Sequence, residues 1–170
     1  MRLHLPALTA VIAVSVTPLS CIPKRVETPL AEWNPADRPV RLGVVVPMDQ
    51  TCLDAVADAI TFWTTQGVEF GSVRAFGYDP GIRPGVILVK RGHTNPPVLA
   101  VTHLGQRHGE VVGASITLNS CDPRAVAHEF GHALGLDHHP SSHNLMHPTS
   151  VGSWQPWGVT EDQVAIARGH

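Results

Sequence analysis

Apolar residues are distributed along this chain in several distinct rhythms. Leu5 to Leu19 is almost wholly apolar, broken by Pro6 and Pro18. From Val40 to Val46 (VRLGVVV) the run has the length and β-branched content of a strand. Thr51-Cys52-Leu53-Asp54 then carries the pattern of a capping box. Leu53, Val56, Ile60 and Trp63 follow at helical spacing, and Gly67 offers a stop, which predicts a helix of about 15 residues. Four strand-like runs come next, at 68–76, 85–90, 98–104 and 110–118, separated by turns rich in Gly and Pro. Asp122 and Pro123 suit the cap and first position of a second helix, whose apolar surface is Ala125, Val126, Phe130, Ala133 and Leu134. Gly135 ends it. Thr160-Glu161-Asp162-Gln163 opens a last short helix running through Ala167 and stopped by Gly169. One strand, a helix, several strands and a further helix predict an α+β domain built on one mixed sheet. The order of the strands is not readable from run lengths.

At 170 residues there is room for one ordinary domain, and 43% hydrophobic content gives it a core. A formal net charge of −2 provides no positive field to gather phosphates, so nucleic acid is not an expected partner. The first apolar run is short for a spanning helix, which needs about 20 residues. After the positive start Met1-Arg2-Leu3-His4 it reads as an export signal over 1–20. Leu19-Ser20-Cys21 resembles a bacterial lipoprotein cleavage box, although Pro18 stands where that box usually has Leu. Cys21 is then either the first, lipidated residue of the mature chain or an ordinary residue of a released protein. The expected location is outside the cytoplasm: secreted, periplasmic or in the cell envelope. Residues 21–39, with Pro23, Pro29 and Pro35, read as a tether, and 40–170 as the folded domain. Without Cys21, Cys52 and Cys121 remain, as a disulfide or as two small buried thiols.

Histidine changes the picture. There are 11, and six lie between His128 and His147. Residues 127–138 read AHEFGHALGLDH. His128 and His132 are four apart, so they project from one helix face and can share a cation. Gly135 allows a sharp turn that can return His138 as a third ligand. Three nitrogens leave a fourth position for water, and open three-ligand sites are catalytic rather than structural. Glu129, on the adjacent side of the helix, is placed to take a proton from that water. Imidazole ligands and permissive geometry favour zinc.

HEFGHALGLDH, followed by Asn144-Leu145-Met146, resembles the metzincin metallopeptidases, and HALGLDH with LMHP resembles their matrixin branch. VTEDQVAIARG resembles the C-terminal helix of that family. The resemblance implies a metzincin-like catalytic domain: a mixed twisted sheet with a backing helix, an active-site helix and a small C-terminal subdomain ending in a short helix. It implies one catalytic zinc on His128, His132 and His138, Glu129 as general base, and Met146 packed beneath the metal without ligating it. It further implies a protein or peptide substrate lying extended along the strand at 98–104. Pro148 to Trp157 would wall the side-chain pocket, with Trp154 and Trp157 as candidates to line it.

Several family features are missing. His147 stands where matrixins typically have Tyr, no Asp- and Gly-rich calcium segment precedes the active helix, and no inhibitory cysteine switch occurs in 22–39. A second, structural zinc is therefore not expected. The implied activity is that of an exported zinc endopeptidase, monomeric and touching a membrane only through a lipid at Cys21. The alternatives are a zinc hydrolase of a non-protein envelope amide and an inactive metal- or peptide-binding homologue.

Overall fold

A computed structural model of the chain describes residues 8–13, 31–95, 98–149 and 158–169. Cys21, Trp154 and Trp157 lie outside the described residues, as do most of the predicted export signal and the first part of the predicted tether.

Among the described residues the strands are β1 (Leu8–Ala13), β2 (Val40–Val45), β3 (Phe70–Phe76), β4 (Val86–Arg91), β5 (Ala100–Arg107) and β6 (Glu110–Leu118). The helices are α1 (Gln50–Thr65), α2 (Pro123–Ala133) and α3 (Glu161–Arg168). The six strands form one sheet in the order β1-β5-β6-β4-β2-β3. β3, β2, β4 and β6 are mutually parallel, while β5 runs antiparallel to β6 and β1 antiparallel to β5. The sheet is thus mixed, and the fold is the expected α+β metzincin-like architecture.

α1 begins earlier than its capping-box pattern predicts. The cap is Asp49, whose carboxylate accepts from the Cys52 N–H at 2.9 Å, and Thr51 lies inside the first turn. A carboxylate is the stronger partner for the positive end of a helix, which is why Asp49 displaces Thr51. α1 buries Cys52, Ala55, Val56, Ala59 and Trp63 and packs on α2, and α2 in turn rests on β5 and β6. The Trp63 indole N–H donates to the Ala127 carbonyl at 2.9 Å, one residue before the histidine pair. Cys52 and Cys121 are joined in a disulfide, with Cα atoms 4.8 Å apart, tying the first turn of α1 to the residue before the α2 cap.

Two sequence readings meet a different arrangement. Residues 31–39, the described half of the predicted tether, are built into the domain. Trp33 is buried, bridges to Val111 in parallel, and donates its indole N–H to the Ala133 carbonyl at 2.8 Å. The Asn34 side-chain amide donates to Glu110 at 2.6 Å. The folded unit therefore begins by Ala31, because a large indole supplies core area that proline counting overlooks. Second, residues 8–13, inside the predicted export signal, form the edge strand of the sheet and pair with β5 from Leu8 opposite Gln106 to Ala13 opposite Val101.

Candidate metal centre

α2 presents the first two histidines. Asp122 caps it by accepting from the Ala125 N–H at 2.9 Å, and Pro123 occupies its first turn. The helix ends in a Schellman arrangement: the Leu136 N–H donates to Gly131 O and the Gly135 N–H to His132 O, both at 3.0 Å. Gly135 has φ +101°, and a Cβ there would stand 2.5 Å from the Ala31 carbonyl, so glycine is required twice over. This turn brings His138 back against the helix.

The ligand atoms of His128, His132 and His138 lie within 4.8 Å of one another. Ring centroids are 4.6 Å apart for His128–His132, 4.7 Å for His132–His138 and 5.4 Å for His128–His138. His128 Nδ1 bonds the Leu145 carbonyl and His132 Nδ1 the Leu136 carbonyl, each at 2.8 Å. A carbonyl only accepts, so both Nδ1 atoms carry the proton and both Nε2 atoms present lone pairs. His128 Nε2 is buried with no hydrogen-bond partner, and His132 Nε2 stands 3.2 Å from His138 Nε2. Nitrogens sharing one tetrahedral zinc at about 2.0–2.1 Å are separated by about 3.3 Å. The orphaned nitrogen, the fixed tautomers and that spacing all fit zinc.

Residues 86–166, which contain every one of these groups, match the family model for matrixin. Over these residues the chain is similar to matrixin. Zinc metallopeptidase chemistry belongs to that family, and the three-histidine group supplies a site of the kind it uses. The match begins with β4 and ends within α3, so β1, β2 and β3 join the sheet, and α1 packs on α2, from outside it. No curated protein matches the chain.

At this matrixin-like centre His128 and His132 are buried and His138 is half-buried. Burial holds His128 down to about 4 and His132 well below its ordinary range; the neighbouring imidazoles add to the effect. His138 is lowered less, by burial against the opposing pull of Asp137. Arg124, one helical turn before His128, is 6% exposed, and its Nε has no hydrogen-bond partner. Its positive charge further discourages protonation of His128. Neutral histidines are the ligating form, so burial prepares the site for a cation.

Glu129 is 2% exposed, and desolvation raises its carboxyl to about 7. One group opposes that rise: the Thr102 hydroxyl, which donates to Glu129 Oε2 at 2.6 Å. Sequence reading passed over Thr102. The signal was there, since Ala100, Thr102 and Leu104 share the buried face of β5 and only Thr102 is polar.

Met146 sits in a tight turn: the His147 N–H donates to Asn144 O at 3.2 Å, and the Met146 N–H to Asn144 Oδ1 at 2.7 Å. Its side chain is fully buried against Gly131, between the two helical histidines. The same turn supplies the Leu145 carbonyl that orients His128. Asn144 in turn donates to Gln163 Oε1 at 2.8 Å, and Gln163 belongs to the capping box of α3. The short C-terminal helix therefore buttresses the turn beneath the site. Cys52, Cys121 and Asp49 form a second close group, but the two sulfurs are bonded to each other.

Proposed function

We propose that this chain is an exported zinc endopeptidase in which His128, His132 and His138 hold the metal and Glu129 is the general base. The observation that carries the reading is three converging imidazoles, two of them held through Nδ1 so that Nε2 is free, on a chain turn whose helix also carries the buried Glu129. Bound zinc supplies a Lewis acid for the scissile carbonyl and acidifies a water at neutral pH. Glu129, raised to about 7, takes the proton of the attacking water and returns it to the leaving amine. The Leu145 and Leu136 carbonyls hold the His128 and His132 rings in place, and Met146 packs against Gly131 of the same helix.

A peptide substrate lies along β5, held by main-chain hydrogen bonds. β5 is competent for this, since it already pairs with an antiparallel strand, β1. Residues 1–20 are the export signal in this reading, and their removal leaves the β5 edge to substrate.

The test is hydrolysis of casein and of a peptide library by residues 22–170, with and without chelator, beside Glu129→Ala. Chelator-sensitive cleavage is expected. The variant should retain one zinc per chain and lose at least about 100-fold in rate. Folded, zinc-loaded protein that cleaves neither substrate would overturn the peptidase reading.

A further inference from the structure

We infer that Thr102 is the positioning residue for Glu129, holding one carboxylate oxygen with its hydroxyl so that the other is free to exchange the proton. The inference rests on the role proposed above for Glu129 and goes beyond it by assigning a residue from a different element.

The argument starts in β5. Ala100, Thr102 and Leu104 are buried at 2%, 0% and 0% exposure, whereas Val101 and His103 on the other face are half-exposed. A hydroxyl in that apolar row is unfavourable unless it is hydrogen-bonded. Among the described residues the Thr102 hydroxyl is hydrogen-bonded to Glu129: Oε2 at 2.6 Å and the main-chain carbonyl at 3.0 Å. It has one proton, and the shorter contact, to the charged oxygen, has the length of a charge-assisted bond. Among the described residues no hydrogen bond falls on Oε1.

Thr102 is well suited to hold this carboxylate. A β-branched side chain on a strand is stiff at χ1, so the backbone of β5 sets the direction of the hydroxyl. A glutamate has three rotatable bonds, and anchoring one oxygen removes orientations in which the other cannot reach the reacting water. Thr102 also lies opposite Ile12 of β1, on the strand proposed to hold substrate. One residue therefore links the strand that holds the peptide to the group that moves the proton.

The experiment compares Thr102→Val, which keeps the shape and loses the hydroxyl, with Thr102→Ser, which keeps the hydroxyl. Both kcat and KM are measured for one cleaved peptide with the protein obtained by expressing the full chain. Thr102→Val is expected to keep its zinc and its KM while kcat falls roughly 10- to 100-fold. Thr102→Ser is expected to restore most of kcat. A second readout needs no activity: in zinc-free protein labelled at the glutamate carboxyl carbons, the Glu129 signal, assigned by its loss in Glu129→Gln, should shift in Thr102→Val and stay in Thr102→Ser. An unmoved signal in Thr102→Val, a wild-type kcat in that variant, or equal loss of kcat in both variants would each overturn the inference. Should the wild-type protein cleave nothing, the peptidase reading fails while the carboxyl signal still decides the contact.

Discussion

Gly131 owes its place to Met146. The Met146 sulfur occupies the position a Cβ on residue 131 would need, and Trp63 Cζ2 stands 3.1 Å from the same point. Glycine in mid-helix is normally unfavourable by about 1 kcal/mol relative to alanine. Here that penalty lets the methionine pack directly on the helix backbone between His128 and His132.

The relationship fixes the sign of a substitution that propensity alone gets wrong. Gly131→Ala is expected to destabilise the fold by about 1–3 kcal/mol, because the fully buried Met146 side chain must be displaced to admit the Cβ. Urea denaturation measures it. Adding Met146→Ala should recover part of the loss from Gly131→Ala, and stabilisation by the single variant would mean the contact is not tight.

Asn144 joins the methionine turn to α3 through Gln163 and pins the Met146 N–H. Asn144→Ala is expected to loosen the Leu145 carbonyl that orients His128, so zinc affinity should fall about 10- to 100-fold. Competition with a chromophoric chelator reads this directly. Unchanged affinity would show that His128 is held by the helix alone.

The disulfide closes a loop with a sequence separation of 69 residues. Replacing both cysteines by serine is expected to lower stability by about 2–4 kcal/mol. Denaturation curves of the double variant, and of wild-type protein in reductant, should agree. A midpoint unaffected by reductant would show that the bridge adds nothing.

With zinc removed by chelator, stability should fall as pH falls from about 6.5 toward 4. The histidines ionise in the unfolded chain near 6.5, but burial holds His128 down to about 4 and lowers His132 and His138 as well. The unfolded state therefore binds more protons across this window, and acid favours it. Glu129 works in the opposite sense: raised to about 7 from 4.5, it keeps its proton in the folded state and loses stability as pH rises through that range. Glu129→Gln removes this offset and should steepen the acid loss by up to about 3 kcal/mol. Urea titrations of the chelated proteins at pH 7 and pH 5 test both signs. Stability that rises on acidification of the variant would contradict the assignment.

Much of the centre could be read before any coordinates. His128, His132, His138, Glu129 and Met146 all lie in one stretch of 19 residues, where helical period and the Gly135 turn determine who meets whom. The cap at Asp122 and the capping box at Thr160 were equally local. Residues that act across elements were harder to see. Thr102 reaches Glu129 over 27 positions and Trp33 reaches Ala133 over 100. No spacing rule operates at such distances, and proline content gave the wrong reading for 31–39.

The sequence by itself determined the local chemistry: an imidazole pair on one helix face, a carboxyl beside it, and a glycine to turn the chain toward a third ligand. Helix geometry and glycine's freedom at positive φ act over a few residues, so a linear text can encode their result. Only the tertiary structure decided the strand order, the Cys52–Cys121 pairing, the close approach of Gly131 to Met146, and the burial that keeps the histidines neutral and raises Glu129. Those depend on which surfaces exclude water together, and that is a property of the packed whole.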